Sequence, residues 1–216
     1  MTIPTLGRED RAVIPSAYFH RFIPGTSPDK APVVMLHGSG GDEHTLVALA
    51  AELSPGAPTL SLRGTVEIDG GFAFFHRRPD RSLDEADIVA RLPPLAQFIN
   101  SVLIGHGLSR PPIAVGFSNG AIMAAALLLT RPTLFSGGIL LRPLSPFVVD
   151  PPARIGARPI LIIDGEKDSR RSPGDGARLA ERLIQSGAAV THHVLPVGHA
   201  ITDMDKQIAR DWLVAR

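Results

Sequence analysis

The sequence predicts an α/β fold: a mostly parallel central sheet flanked by helices. Short apolar runs alternate with longer helical patterns from end to end, the mark of strands joined by helical crossovers. The 216 residues are 44% hydrophobic, enough to bury one sizeable core and short for two, so residues 1–216 read as a single domain. The reactive side chains fall just past the apolar runs, at the carboxyl ends of the expected strands, where α/β proteins place ligands.

Taken in order, Tyr18 to Ile23 reads as a first strand closed by Pro24-Gly25, and Pro32 to Leu36 as a buried strand ending at His37-Gly38. Thr45 to Leu53 follows as a helix stopped by Ser54-Pro55-Gly56, and Thr59 to Leu62 as the next strand. Arg63 to Asp80 shows no regular period but carries three phenylalanines, which marks a long functional loop rather than a disordered one. Leu83 to Leu103 has a helical pattern that Pro93-Pro94 should break or kink. Strands are expected at Pro112 to Val115, Ser136 to Leu141, Pro159 to Ile163 and Val190 to Leu195. Helices are expected from Ala121 to Leu129, Asp175 to Ser186 and Asp203 to Val214.

Charge and composition exclude several classes of function. Lys plus Arg number 22 and Asp plus Glu 21, and the nearest thing to a basic block, His76-Arg77-Arg78, is too short for a nucleic-acid or membrane footprint. With no cysteine there is no disulfide, thiolate nucleophile or Cys-based metal site. Met1 to Asp10 lacks the basic start and apolar segment of a secretory signal, and no stretch approaches membrane-spanning length, so a cytoplasmic location is expected.

The chemistry centres on Gly116-Phe117-Ser118-Asn119-Gly120, set between a strand and a helix. A strand that turns within two residues into a helix strains its central residue, and small neighbours are needed to let strand, helix and substrate approach. Ser118 is then a nucleophile held at a helix N-terminus, where amide dipoles favour developing negative charge. Asp168 follows the Ile160 to Ile163 run and His199 follows Leu195. The chain order Ser118, Asp168, His199 is the one used by α/β-hydrolases. In these roles His199 is the general base and then acid, Asp168 orients it, and Ser118 is acylated and released by water. Asp164, Glu166 or Asp175 are alternative carboxylates, and His192 and His193 fit orienting or surface roles in the last strand. His37-Gly38-Ser39-Gly40-Gly41-Asp42-Glu43 supplies an oxyanion hole, with the backbone N–H groups of Ser39 and Asn119 as donors; a plain turn into a helix cap is the alternative. The loop lacks the Gly-x-Gly-x-x-Gly spacing and the following Lys-Ser/Thr of nucleotide sites. Phe72, Phe74, Phe75 and Phe117 are candidate walls of an apolar substrate pocket, with core packing as the other reading for the loop phenylalanines. Arg142 either steers a polar substituent of the substrate or pairs with a nearby acid.

On these segments, with Arg63-Gly64-Thr65-Val66, Gly71 to Arg78, Leu140-Leu141-Arg142-Pro143 and Gly198-His199, the chain resembles the small bacterial carboxylesterases of the phospholipase/carboxylesterase group, relatives of acyl-protein thioesterases in the α/β-hydrolase superfamily. The resemblance runs over nearly the whole chain. It departs at Ser169-Arg170-Arg171-Ser172-Pro173, where relatives carry an apolar stretch, and at His76, where an Arg is usual. It implies an α/β-hydrolase without a large lid domain, acting as a monomer or homodimer on small short-acyl or aromatic esters, with no cofactor and no metal. A thioesterase or lysophospholipase with the same machinery, and a non-catalytic binding protein of the same fold, are the rival readings.

Overall fold

Buried β-branched and leucine side chains on successive residues, with no polar alternation, require strands covered on both faces, and the computed structural model shows that arrangement. The structure describes residues 18–27, 29–149, 151 and 154–216; Met1 to Asp10, read above for a secretory signal, lie outside them. The strands are β1 (His20–Ile23), β2 (Val33–Leu36), β3 (Thr59–Leu62), β4 (Val66–Ile68), β5 (Gly71–Ala73), β6 (Ile113–Phe117), β7 (Gly137–Leu141), β8 (Pro159–Gly165) and β9 (Ala189–Leu195). The helices are α1 (Val47–Leu53), α2 (Glu85–Gly105), α3 (Asn119–Thr130), α4 (Asp175–Gln185) and α5 (Asp203–Val214). Seven strands form one sheet in the order β1-β3-β2-β6-β7-β8-β9, in which only β1 is antiparallel to its neighbour.

Side chains alternate across each strand, so the sheet divides the core in two. Val34, Leu36, Leu60 and Leu62 face the layer of α2, α3 and α4, while Val33, Met35, Val115, Ile139, Leu141, Leu161 and Ile163 face α1 and α5. Burying each such side chain contributes about 1.5–3 kcal/mol. Helix α3 is buried from Asn119 through Leu129, sandwiched between the sheet and α2, which is why its sequence is apolar on every side.

Three expectations need correction. Helix α2 does not break at Pro93 and Pro94, one of the two outcomes expected there: both are exposed, so the carbonyls they cannot pair reach water, while Ile88, Leu92, Leu95 and Ile99 hold the opposite face in the core. The same helix is long and apolar enough by length and composition to cross a membrane, contrary to the expectation that no stretch is; here it packs on α3. The segment expected as an irregular loop contains the β4–β5 hairpin, with Val66 opposite Ala73 and Ile68 opposite Gly71. A smaller difference lies at α1, which begins at Val47 because Asp42 Oδ1 accepts from the amides of His44 and Thr45 and holds that stretch as a turn.

Candidate active site

Strand β6, flanked by β2 and β7, delivers Ser118 at its carboxyl end. Ser118 adopts φ 52°, ψ −108°, a conformation costly for a residue with a Cβ. It is held from both sides: its N–H donates to the Leu141 carbonyl at 2.9 Å and its carbonyl accepts from Ile122 at 3.1 Å. The flanking glycines are sterically required. A Cβ on Gly116 would lie 2.6 Å from the Ala121 Cα, and one on Gly120 would overlap the Leu36 carbonyl.

Residues far apart in sequence meet at this serine. His199, in the loop after β9, places Nε2 3.0 Å from Ser118 Oγ, and its Nδ1 lies 2.7 Å from Oδ2 of Asp168, from the loop after β8. A carboxylate only accepts, so Nδ1 carries the hydrogen and Nε2 is left to accept the Ser118 proton. Oδ1 of Asp168 accepts from the Arg170 amide at 2.9 Å, which fixes the carboxylate plane. Desolvation lowers the His199 pKa below its ordinary value, outweighing the Asp168 contacts that raise it. The arrangement can abstract a hydroxyl proton, stabilise the resulting imidazolium and return the proton to a leaving group. A second imidazole–carboxylate pair, His192 Nε2 to Asp164 Oδ2 at 2.7 Å, comes from the strands that precede these loops, and neither member bonds to Ser118.

The glycine-rich loop after β2 is fastened beside the serine. His37 Nδ1–H donates to the Gly38 carbonyl at 2.7 Å and Nε2 accepts from the Gly64 amide at 3.0 Å; burial lowers the pKa of this ring, outweighing the Gly38 bond that raises it. Gly40 N–H donates to the Phe72 carbonyl at 2.9 Å and Phe72 N–H to the Gly41 carbonyl at 3.1 Å, joining the loop to the hairpin. Gly71, at φ 140°, packs so closely on Gly40 that no side chain fits. The amides of Ser39 and Asn119 make no hydrogen bond to any other described residue. The Asn119 side chain, overlooked in favour of its amide, accepts from the Phe74 amide at 2.7 Å and pins the hairpin's exit.

Other candidates have different places. Arg142 is not directed at a substrate: it is fully buried, pairs with Asp205 at 2.7 and 2.9 Å, and gives its remaining N–H groups to the carbonyls of Ile163, Gly198 and Ala200. It thereby holds the backbone on either side of His199, and the ion-pair reading is the one the geometry bears out. Phe74 and Phe75 are core residues rather than pocket walls, 2% and 1% exposed, with the Phe74 ring against His37 and its amide held by Asn119. Phe72 is half-buried against the Arg63 guanidinium, which also covers Phe19 and chelates Glu43. Phe117 stays beside the site, its ring centroid 5.2 Å from that of His199.

One participant had no role assigned from sequence. Arg171 donates from Nη2 to Ser118 Oγ at 3.1 Å and from Nε and Nη2 to the Arg142 carbonyl at 2.8 and 2.6 Å. Burial draws its pKa below the usual arginine value. Its signal was the arginine pair that replaces an apolar stretch after Asp168.

Known proteins with this architecture share its sequence pattern. The family model described as Phospholipase/Carboxylesterase matches residues 20–215. MhqD of Bacillus subtilis (strain 168), named as a hydrolase, is 34% identical over 195 residues, covering 89% of this chain and 96% of its own. The crystal structure of the Bacillus cereus carboxylesterase superposes with a TM-score of 0.89 at 30% identity, covering 93% of this chain and 95% of that one. A carboxylesterase from Mesorhizobium loti gives 0.87 at 32% identity, with 93% and 96% covered.

Proposed function

The chain belongs to the phospholipase/carboxylesterase family of α/β-hydrolases, and on that premise we propose that it is a serine carboxylesterase acting on small short-acyl or aromatic esters through an acyl-enzyme. One observation carries the reading: a strained serine hydroxyl 3.0 Å from an imidazole whose far nitrogen is 2.7 Å from a buried carboxylate. In the first half-reaction Ser118 Oγ bonds to the ester carbonyl carbon as its proton passes to His199 Nε2. The carbonyl oxygen becomes an oxyanion facing the amides of Ser39 and Asn119. Collapse breaks the bond to the alkoxy group, and His199 returns the proton to the departing alcohol. Water then takes the alcohol's place, loses a proton to His199, and releases the acid and Ser118.

The acyl preference draws support from the walls. Phe74 and Phe75 are committed to the core. The cavity of about 230 Å³ on the far side of Asp168 and Arg171 has neither Ser118 nor His199 in its walls, and its edge of Asp164, Glu166 and Asp175 offers no apolar extension there for a long alkyl chain. Rates on p-nitrophenyl acetate, p-nitrophenyl palmitate and a palmitoyl thioester test it. We expect kcat/KM highest on the acetate; a higher value on either palmitoyl substrate would replace this reading with the thioesterase or lysophospholipase one.

A further inference from the structure

We propose that Arg171 selects esters carrying a carboxylate a few bonds from the scissile carbonyl, such as half-esters of short dicarboxylic acids. The inference rests on the serine esterase reading above for where the substrate reacts, but on separate atoms for what it recognises.

The guanidinium is half-buried and has no carboxylate within ion-pair distance among the described residues. Each nearby acid is engaged elsewhere: Asp168 with His199, Asp164 with His192 and Asp175 with Arg178. A cation withdrawn from water without a counter-ion is costly, and the cost is offset when an anion is bound. Arg77 acts electrostatically on Arg171 and Arg170 on His199, while Asp168, Asp175 and Asp164 act on Arg171 with the opposite sign from a distance, each already bonded to another side chain.

The hydrogen-bond geometry aims this charge. Nε and one Nη2 hydrogen are spent on the Arg142 carbonyl, and one Nη1 hydrogen on the Arg170 carbonyl at 3.0 Å. What remains is the Nη1–Nη2 edge, with one N–H on Ser118 Oγ and one without an acceptor among the described residues. A planar two-donor edge matches a carboxylate, and a substrate arriving at Ser118 brings its own atoms to within reach of it. Arg142, locked by Asp205, fixes that edge in place through its carbonyl.

Paired esters of equal chain length, mono-p-nitrophenyl glutarate and p-nitrophenyl valerate, provide the test. The parent protein should favour the glutarate in kcat/KM by about 10- to 100-fold, the range for a charge-assisted contact. R171Q should remove that preference and R171K retain part of it. A parent without preference, or R171Q losing equally on both esters, would overturn the proposal; equal losses would mean that Arg171 acts on charge formed in the reaction itself. Glutarate binding to S118A, measured calorimetrically with and without R171Q or R171K, does not depend on turnover. Binding weakened at least about 10-fold by R171Q supports the proposal even if no ester is hydrolysed, in which case only the esterase reading falls. Binding indifferent to position 171 overturns it.

Discussion

In the proposed mechanism His199 is the base, and its surroundings fit that role. Burial beside Phe117 disfavours the imidazolium, so the neutral form persists to lower pH than for a histidine in water. Activity that needs the neutral ring should therefore rise with pH through a midpoint below about 6.5 and level off above it. A kcat/KM profile on a neutral ester checks this, and a midpoint above pH 7 would contradict it. The two imidazole–carboxylate pairs at equal 2.7 Å separations sharpen the assignment, because only one of them is bonded to Ser118. Asp168→Asn should lower kcat by on the order of 10³–10⁴ by leaving His199 in the wrong tautomer. Asp164→Asn should leave kcat within about threefold, since it orients a ring remote from the reacting hydroxyl. Comparable losses in the two variants would mean that the pairs had been assigned the wrong way round.

Strand β6, the turn at Ser118 and helix α3 work as one rigid device. Its strain is held by the Leu141 and Ile122 bonds and by the absence of side chains at positions 116 and 120. Gly120→Ala drives a methyl into the Leu36 carbonyl, backbone that cannot step aside, so it should lower stability by about 1–3 kcal/mol and disturb the loop that begins at His37. Urea unfolding measures the first effect and the rate on p-nitrophenyl acetate the second; a variant as stable and as active as the parent would refute this account of the turn. Elements whose own pattern suffices were legible in the sequence: β3 and α5 begin and end at the predicted residues, α5 with a capping box from Thr202 and Asp205. The β4–β5 hairpin was not, because its three-residue strands have no room to alternate and are set by contacts with the Gly40-Gly41 loop. The continuity of α2 was hidden for a related reason: two prolines forbid hydrogen bonds locally, and only packing reveals that the helix survives them.

The topology turns distant sequence into one site. Parallel strands β2, β6, β7, β8 and β9 all end on the same side, so the loops that follow them bring together Ser39, Ser118, Arg142, Asp168 and His199 from across the chain. That Ser118, Asp168 and His199 would meet could be read in advance, because strand-end placement and chain order restrict the choice to a few residues. The partners of Arg142 and the fate of Phe74 and Phe75 could not, since an arginine or phenylalanine beside a strand serves core or pocket equally well until the neighbouring layers are known. The buried Arg142–Asp205 pair is the clearest case: it ties the end of β7 to α5 and to the loop bearing His199, a link among three segments that no local pattern encodes. The most direct measurement is covalent labelling by a fluorophosphonate, with the modified residue located by peptide mass spectrometry. The convergence of these loops predicts a single adduct on Ser118, lost in Ser118→Ala and slowed in His199→Ala; an adduct elsewhere, or a Ser118→Ala protein that labels as readily as the parent, would contradict it.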